Sequence, residues 1–401
     1  MANVTQLKHL EHLEDEMLNY GVEGCKAAVG FLQELRKMLG CDSSTRYMQT
    51  KWDGLPSVIC GINPGTGNFF VGTKSVFNKT EPKLASTDNG VDMYYGEGDL
   101  GKKLKLCLKY LSKLGITGVV QGDFLAAKED VKTETVHGEK LYTFGNQALT
   151  YGIPVDHPIG KRIKNAEMVI VFHTHYKGDY VPEMIAAAGV KESLNEIKEV
   201  AMIDNDTPMH KVGLNHQEEV SFDKMVANIE RDCKNCGDFL DELVKNTGTK
   251  GDEKWHVASY VKQYFNSEIK AKRSITNVEK SFEGLYNFYY DKTRGMLDGI
   301  KTVKTKTDKG ALVHNSLNYL RDNQDKWKSM INLYKQLQDI KQFVIDKLDH
   351  LETFRTFART DKGYEVTGPE GYVLHKDGDM IKLVNRLEFS YINFTLAKQW
   401  R

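Results

Sequence analysis

The feature that most constrains this chain is an interruption. Two stretches of β texture are separated by a long run of helical pattern. From about residue 46 to 175, extended segments dominate: "SVICGIN", "TGVVQGDFLA", "KLYTFGN", "ALTYGIPV" and "EMVIVFHTHY". From about 181 to 355, apolar residues recur at helical spacing among Lys, Asp, Glu and Gln, beginning at "VPEMIAAAG" and continuing through "SFDKMVANIERDCKNCGDFLDELVKN". The last block, "KGYEVTGPEGYVLHKDGDMIKLVNRLEF", is β again, with turns at "GPEG" and "KDGD". A sheet of two or three strands is poorly covered alone. The closing strands are therefore expected to return to the first β block, which makes the helical run an insertion. The expected fold is α+β, in four parts: N-terminal helices over 1–45, a β core over 46–180, a helical insertion over 181–355, and closing strands over 356–401.

The 401 residues suffice for more than one core. Charged residues are 27% and hydrophobic ones 40%, the balance of a soluble globular protein. Lys+Arg and Asp+Glu both number 55, which excludes a histone-like or tail-driven binder of nucleic acid but leaves room for a local basic groove. The start, "MANVTQLKHLEHLEDEML", has no apolar stretch of the secretory kind, and no run reaches membrane-spanning length. A cytoplasmic protein with no membrane partner is expected. The cysteines, at 25, 41, 60, 107, 233 and 236, are sparse enough to be reduced thiols. Cys233 and Cys236 form a C-x-x-C with no second ligand pair, so they are expected on a helix surface and not around zinc.

Within the first β block, "MQTKWDGLPSVICGINPGTGNFFVG" reads as strands around turns. A lysine, Lys51, stands just before Trp52, Asp53 and Gly54. Alone it is an edge lysine before a turn, with Asp53 fixing that turn. Three later segments add to it: Asp123 in "VVQGDFL", Glu370 in "GPEGYVL" and Lys382 in "GDMIKLV". An amine, carboxylates and a second amine are the groups that nucleotidyl transfer requires. A deprotonated amine attacks phosphorus, and acidic groups hold a hard cation that offsets the leaving pyrophosphate.

In this order the segments resemble the motifs of the covalent nucleotidyltransferases, the superfamily of DNA ligases, RNA ligases and mRNA capping enzymes. "KWDG" resembles the nucleophile motif Lys-x-Asp-Gly, and "QGDF" resembles the motif usually written Asp-Gly-Glu. "ALTYGIPV" resembles the following strand, whose aromatic residue stacks on the base. "EGYV" matches the Glu-Gly motif, and "IKLV" resembles the closing lysine motif. The chain is also similar to uncharacterised tailed-phage ligase-like proteins that share "KWDG … FFVGTKSVFNK … QGDF". The likeness spans the two β blocks and not the helices. It implies a ligase-type core of antiparallel, ATP-grasp-like sheets, with Lys51 as the adenylylated nucleophile and ATP and Mg²⁺ as cofactors. It implies nucleotide contacts from Asp53, Gly54, Lys74, Asp123, Tyr151, Glu370 and Lys382. Glu370 and Asp123 are the expected metal ligands, Asp123 alternatively facing the ribose. A viral source would place the protein in the host cytoplasm.

The chain departs from the pattern in places. Leu55, Pro56 and Ser57 stand where DNA ligases carry an arginine, and Asp123 is one methylene shorter than the usual glutamate. Lys382 is followed by Leu383 and Val384, so that either the second lysine is missing or Lys382 is itself the second, with Met380 at the first place. After that motif only "NRLEFSYINFTLAKQWR" remains, too short for the OB-fold domain that DNA ligases and capping enzymes append. RNA is therefore the expected acceptor in preference to DNA. Basic stretches "KAKRSITNVEKSF" and "KTVKTKTDKG", near "LYNFYYDK", suit a groove for single-stranded nucleic acid, or a solvated helix face. Phe172 competes with Tyr151 for the base. His173 and His175 are expected on one strand face, as packing residues in preference to ligands. Arg162 reads as a surface charge or a phosphate contact. Two other readings stay open: transfer to a protein or small molecule, and a non-catalytic virion or assembly protein with this fold.

Overall fold

The computed structural model describes residues 11–40, 48–145, 149–190, 193–204, 213–248, 253–349, 354–360, 363–367, 371–376 and 379–387. Glu370 and Cys41 lie outside the described residues. In chain order come β1 (Glu11–His12), α1 (Glu16–Leu39), β2 (Met48–Lys51), β3 (Ser57–Ile62), β4 (Phe69–Gly72), α2 (Asp88–Tyr95) and α3 (Asp99–Leu111). They are followed by β5 (Val119–Ala127), β6 (Lys132–Val136), β7 (Glu139–Gly145), β8 (Leu149–Pro154), α4 (Pro158–Ile163), β9 (Met168–Lys177), β10 (Ile185–Ala188) and β11 (Val200–Ile203). Next are α5 (His216–Asn246), α6 (Ala258–Lys270), α7 (Val278–Asp298), α8 (Val303–Asp322) and α9 (Gln324–Leu348). The last described elements are β12 (Arg355–Thr360), β13 (Gly363–Thr367), β14 (Gly371–Lys376) and β15 (Asp379–Leu383). The fold is α+β. Its contacts divide it into a unit of residues 1–10, 47–207 and 351–379 and a unit of residues 11–46, 208–350 and 380–401.

The first unit is built on a sheet of order β10-β9-β5-β3-β4, with β11 also against β9. Alternation along the strands decides its two faces. Val120 and Phe124 of β5 and Val58 and Cys60 of β3 turn to one side, where they meet Leu104, Cys107 and Leu111 of α3. Those α3 residues recur at helical spacing while its lysines stay outside, so the amphipathic stripe is what seats the helix. Each large apolar side chain buried this way contributes about 1.5–3 kcal/mol. On the opposite face, Ile59, Val119 and Tyr176 join one apolar cluster. Leu125, Val169 and Val171 join another, with Phe144, Tyr151 and Ile153 of the sheet β13-β12-β8-β7-β6. That second cluster is the core between the two sheets.

Of the C-terminal strands, β12, β13 and β14 belong to this unit, whereas β15 pairs with β1 of the second unit. β12 runs antiparallel to β8, with Thr356 opposite Tyr151, and β14 runs antiparallel to β2. The helical region begins later than its sequence pattern suggests. Residues 181–190 and 193–204 of the expected insertion stay with the sheet: "VPEMIAAAG" forms a 3-10 turn and then β10, hydrogen-bonded along the edge of β9. Pro182 opens that segment and Gly189, at φ +71, closes it, and so short a run gains more from the sheet edge than from a helix.

The second unit is mainly helical. α1 packs along α5, and α5 and α7 pack on α9. α5 starts with a reciprocal cap: Glu218 N–H donates to Asn215 Oδ1 (3.0 Å), and Asn215 N–H donates to Glu218 Oε2 (2.9 Å). The N-terminal helical pattern is broken at Gly21, whose φ +59 and ψ −131 are not helical, so α1 consists of two helical pieces that meet at this glycine. A Cβ there would sit 2.2 Å from Asp241 Oδ1, which accepts the Val22 N–H at 2.8 Å. Residues 11–15 precede the helix as β1, which runs parallel to β15, and a 3-10 turn. Cys233 and Cys236 are not both surface residues: Cys236 is buried, and the neighbouring Cys233 thiol together with burial pushes the Cys25 thiol of α1 up. Burial pushes the Cys236 thiol up to about 12.

A network of buried charge ties α9 to the 3-10 turn after β1 and to the segment after β15. Lys341 Nζ donates to both carboxylate oxygens of Glu14, at 2.6 and 2.7 Å. Arg386 Nη1 donates to Asp15 Oδ1 (3.1 Å) and to the Tyr334 hydroxyl (3.0 Å). Burial opposes ionisation of Glu14 most strongly, yet the charges of Lys341 and Arg386 outweigh it and hold the carboxyl down at about 2. Among the described residues no helix is long and apolar enough to cross a membrane.

Candidate functional site

Lys51 is the last residue of β2 and is half-buried. It pairs with Gly371 of β14, the residue that follows Glu370. The loop after it is fastened at successive points. Trp52 is buried, its ring 4.7 Å from Tyr151 and 4.3 Å from Phe354. The backbone N–H of Asp53 donates to the Tyr151 hydroxyl at 2.7 Å. Gly54 lies so close to β5 that a Cβ would fall 2.8 Å from both Asp123 Cβ and the Phe124 carbonyl oxygen. Beyond the loop, Phe124 N–H donates to the Pro56 carbonyl at 3.0 Å, and Ser57 pairs with Asp123. The nucleophile-like segment and the "QGDF" segment are thereby locked together, and only a residue without a side chain permits the approach at 54.

Asp123 belongs to a polar band between the two apolar clusters on that sheet face. Gln121 Nε2 donates to Ser57 Oγ at 2.9 Å, and the Tyr176 hydroxyl donates to Gln121 Oε1 at 2.5 Å. Burial pushes the Tyr176 hydroxyl up, so it stays a neutral donor. His173 Nε2 lies 3.7 Å from Asp123 Oδ2, and its Nδ1 is 2.8 Å from Thr174 Oγ1.

A bulge explains His173. Gln121 pairs with Thr174 and Gly122 with Phe172, which leaves His173 as the extra residue of β9. The insertion also shifts the alternation. His175 pairs with Val120, whose side chain joins the α3 cluster, and its Nδ1 lies 2.6 Å from the Gly189 carbonyl. His173 and His175 therefore take opposite faces, contrary to the strict period of two. Phe172 is buried in the α3 cluster and does not compete for a base.

Tyr151 is placed differently from its sequence expectation. It is 1% exposed, and its ring is enclosed by Trp52, Phe144 and Phe354. A stacking platform needs an open ring face, so the described role of Tyr151 is to hold the loop from below. Lys74 stands exposed in a 3-10 turn after β4, not in a strand. Lys382 is half-buried on β15 opposite His12, in the second unit. Arg162 Nη1 is paired with Glu196 at 2.7 Å, a surface ion pair. Lys103 carries no sequence motif, yet its Nζ reaches the Leu55 carbonyl at 3.5 Å and pairs with Asp99 at 3.0 Å.

The first unit thus brings together Lys51, Asp53, Gly54 and Asp123, supported by Tyr151 and joined by His173. Among the described residues no group of His, Cys, Asp or Glu forms a ready metal cage. Asp123 supplies one hard oxygen donor of the kind Mg²⁺ accepts. No curated protein and no solved structure matches the sequence. A family model does, over residues 3–398, and the chain therefore belongs to DUF6267, a family of unknown function.

Proposed function

We propose that this protein is an ATP-dependent polynucleotide ligase that acts on RNA through a lysyl-AMP intermediate at Lys51. The observation that carries the reading is convergence within the first unit. Lys51 stands opposite the residue that follows Glu370, and the Lys51–Gly54 segment is seated on Asp123, although these segments are far apart in sequence. Chance matches to short motifs have no reason to meet in space.

In this reading the Lys51 amine, once deprotonated, attacks the α-phosphorus of ATP. An N–P bond forms and pyrophosphate leaves. A 5′-phosphate oxygen of the polynucleotide then takes the AMP from Lys51, and a 3′-hydroxyl displaces that AMP to seal the strand. Mg²⁺ held by Asp123 and Glu370 would offset the charge of the pyrophosphate. Free lysine is protonated at neutral pH, so the first step requires that the Lys51 amine lose its proton before it attacks. The helical unit suits a polyanionic acceptor. Lys301, Lys304, Lys306 and Lys309 are exposed around the start of α8, and Tyr290 of α7 is 44% exposed.

The test is labelling with α-³²P-ATP and Mg²⁺. The expected result is a labelled band that survives denaturation, is lost in Lys51→Ala and is reversed by pyrophosphate. GTP and NAD in parallel define the donor. Absence of label with every nucleotide would overturn the reading. Label without joining of nicked or single-stranded RNA would move the acceptor to a protein or small molecule.

A further inference from the structure

We infer that the second unit contains a binding site for a small oxyanion, a phosphate or carboxylate, received by the Nε–H of Arg386. A cavity of about 150 Å³ opens between α6, α9 and the segment after β15, and Arg386 forms part of its wall. Arg386 is 6% exposed. Its Nη atoms have partners: Nη1 donates to Asp15 and Tyr334, and Nη2 donates to Asn266 at 2.6 Å. Its Nε is buried with no hydrogen-bond partner. A buried guanidinium donor is rarely left unmet, and here the cavity is where an acceptor can enter.

The other charges of the wall are already matched. Lys341 is held by both oxygens of Glu14. The Glu268 carboxylate takes Arg273 Nε at 2.8 Å and Nη2 at 2.6 Å, and Asp339 takes Lys335 at 2.5 Å. What remains open is a charged donor beside the amide side chain of Gln338, while Gln342 Nε2 also donates to Asp346 at 2.7 Å. An oxyanion accepts from a guanidinium more strongly than a neutral group does, and side-chain amides complete its shell. The volume suits inorganic phosphate or a short carboxylate. This site is independent of the adenylylation reading, since none of its residues belongs to the first unit.

The full chain, ¹⁵N-labelled, is titrated with inorganic phosphate and separately with acetate, at constant ionic strength set with chloride, while the arginine Nε–H resonances are followed. The Arg386 resonance is the one missing in Arg386→Lys. The expected result is a saturable shift of that resonance, with a preference between the two anions that names the ligand class. Gln338→Met leaves the Glu14–Lys341 and Asp15–Arg386 bonds intact and is expected to weaken binding about tenfold. That variant keeps the test open if Arg386→Lys does not fold. No saturable shift with either anion, or a shift at other arginines only, would assign the donor to water and overturn the site.

Discussion

Replacing Tyr151 by Phe separates two roles for one ring. If Tyr151 were a stacking platform, Phe would serve as well, because the ring face is kept. The structure makes the hydroxyl the working atom, since it accepts the Asp53 N–H at 2.7 Å just past Lys51. Tyr151→Phe removes that acceptor and leaves the Trp52 and Phe354 contacts at 4.7 and 6.3 Å in place. Leaving a buried donor unmet costs about 1–3 kcal/mol. Asp53 is half-buried, and water recovers part of the loss, so about 1–1.5 kcal/mol is expected. For a cooperative unit of this size that is a fall in Tm of about 2–6 °C.

Local effects should exceed the global one. The Asp53 amide is expected to exchange with solvent at least tenfold faster in Tyr151→Phe, while amides in the middle of β5 keep their protection. Lysyl-AMP formation, if Lys51 is the nucleophile, should fall more than ATP binding, because the loop that aims the amine is loosened. Hydrogen exchange read by mass spectrometry, thermal melting and nucleotide labelling measure the three. A Tyr151→Phe protein with wild-type melting and an unchanged Asp53 amide would refute the argument. It would mean that the ring, and not its hydroxyl, matters.

Three other substitutions or conditions test the remaining geometry. Gly54→Ala places a methyl 2.8 Å from Asp123 Cβ and the Phe124 carbonyl, and is expected to cost about 1–3 kcal/mol by thermal or urea unfolding. Lys341→Met leaves the Glu14 carboxylate buried beside Arg386 alone and should cost about 3–5 kcal/mol, whereas Glu14→Gln with Lys341→Met should recover much of it. Glu14 is held at about 2 in the fold against an ordinary 4.5, so its stabilisation is complete above 4.5 and is lost as pH falls from 4.5 toward 2. That loss is about 3 kcal/mol by linkage. Asp15, raised by burial, works in the opposite direction and reduces the net slope. Urea titrations from pH 6 to 2 should show a shallower acid loss in Glu14→Gln than in the wild type.

Which parts of the fold the sequence made legible follows from what fixes each residue. Alternation in "SVICGI" and "VVQGDFLA" assigns Val58, Cys60, Val120 and Phe124 to one face, because a buried sheet face admits nothing else. The return of the C-terminal strands was readable for a related reason: β12 and β14 need partners, and β8 and β2 supply them. The site was legible in the Lys51–Gly54 segment and in Asp123. Gly54 and Asp123 are defined by local chemistry that short strings preserve. Tyr151 and His173 were not, since their roles depend on what lies across from them. A tyrosine in "ALTYGIPV" is the same letter whether its ring is open or covered, and only the packing of Trp52 and Phe354 decides. His173 turns toward Asp123 because β9 carries one residue more than β5 at that point, and an extra residue is invisible in either strand read alone. Period-two reasoning therefore fails at the bulge, beside the residues from which a site is assembled. A single-residue deletion at Thr174 tests this directly. It should restore regular pairing with His173 opposite Gln121, and leave His175 opposite Val120 and Tyr176 against Phe77 and bonded to Gln121. It should cost only the Thr174 contacts, read as a small change in thermal melting.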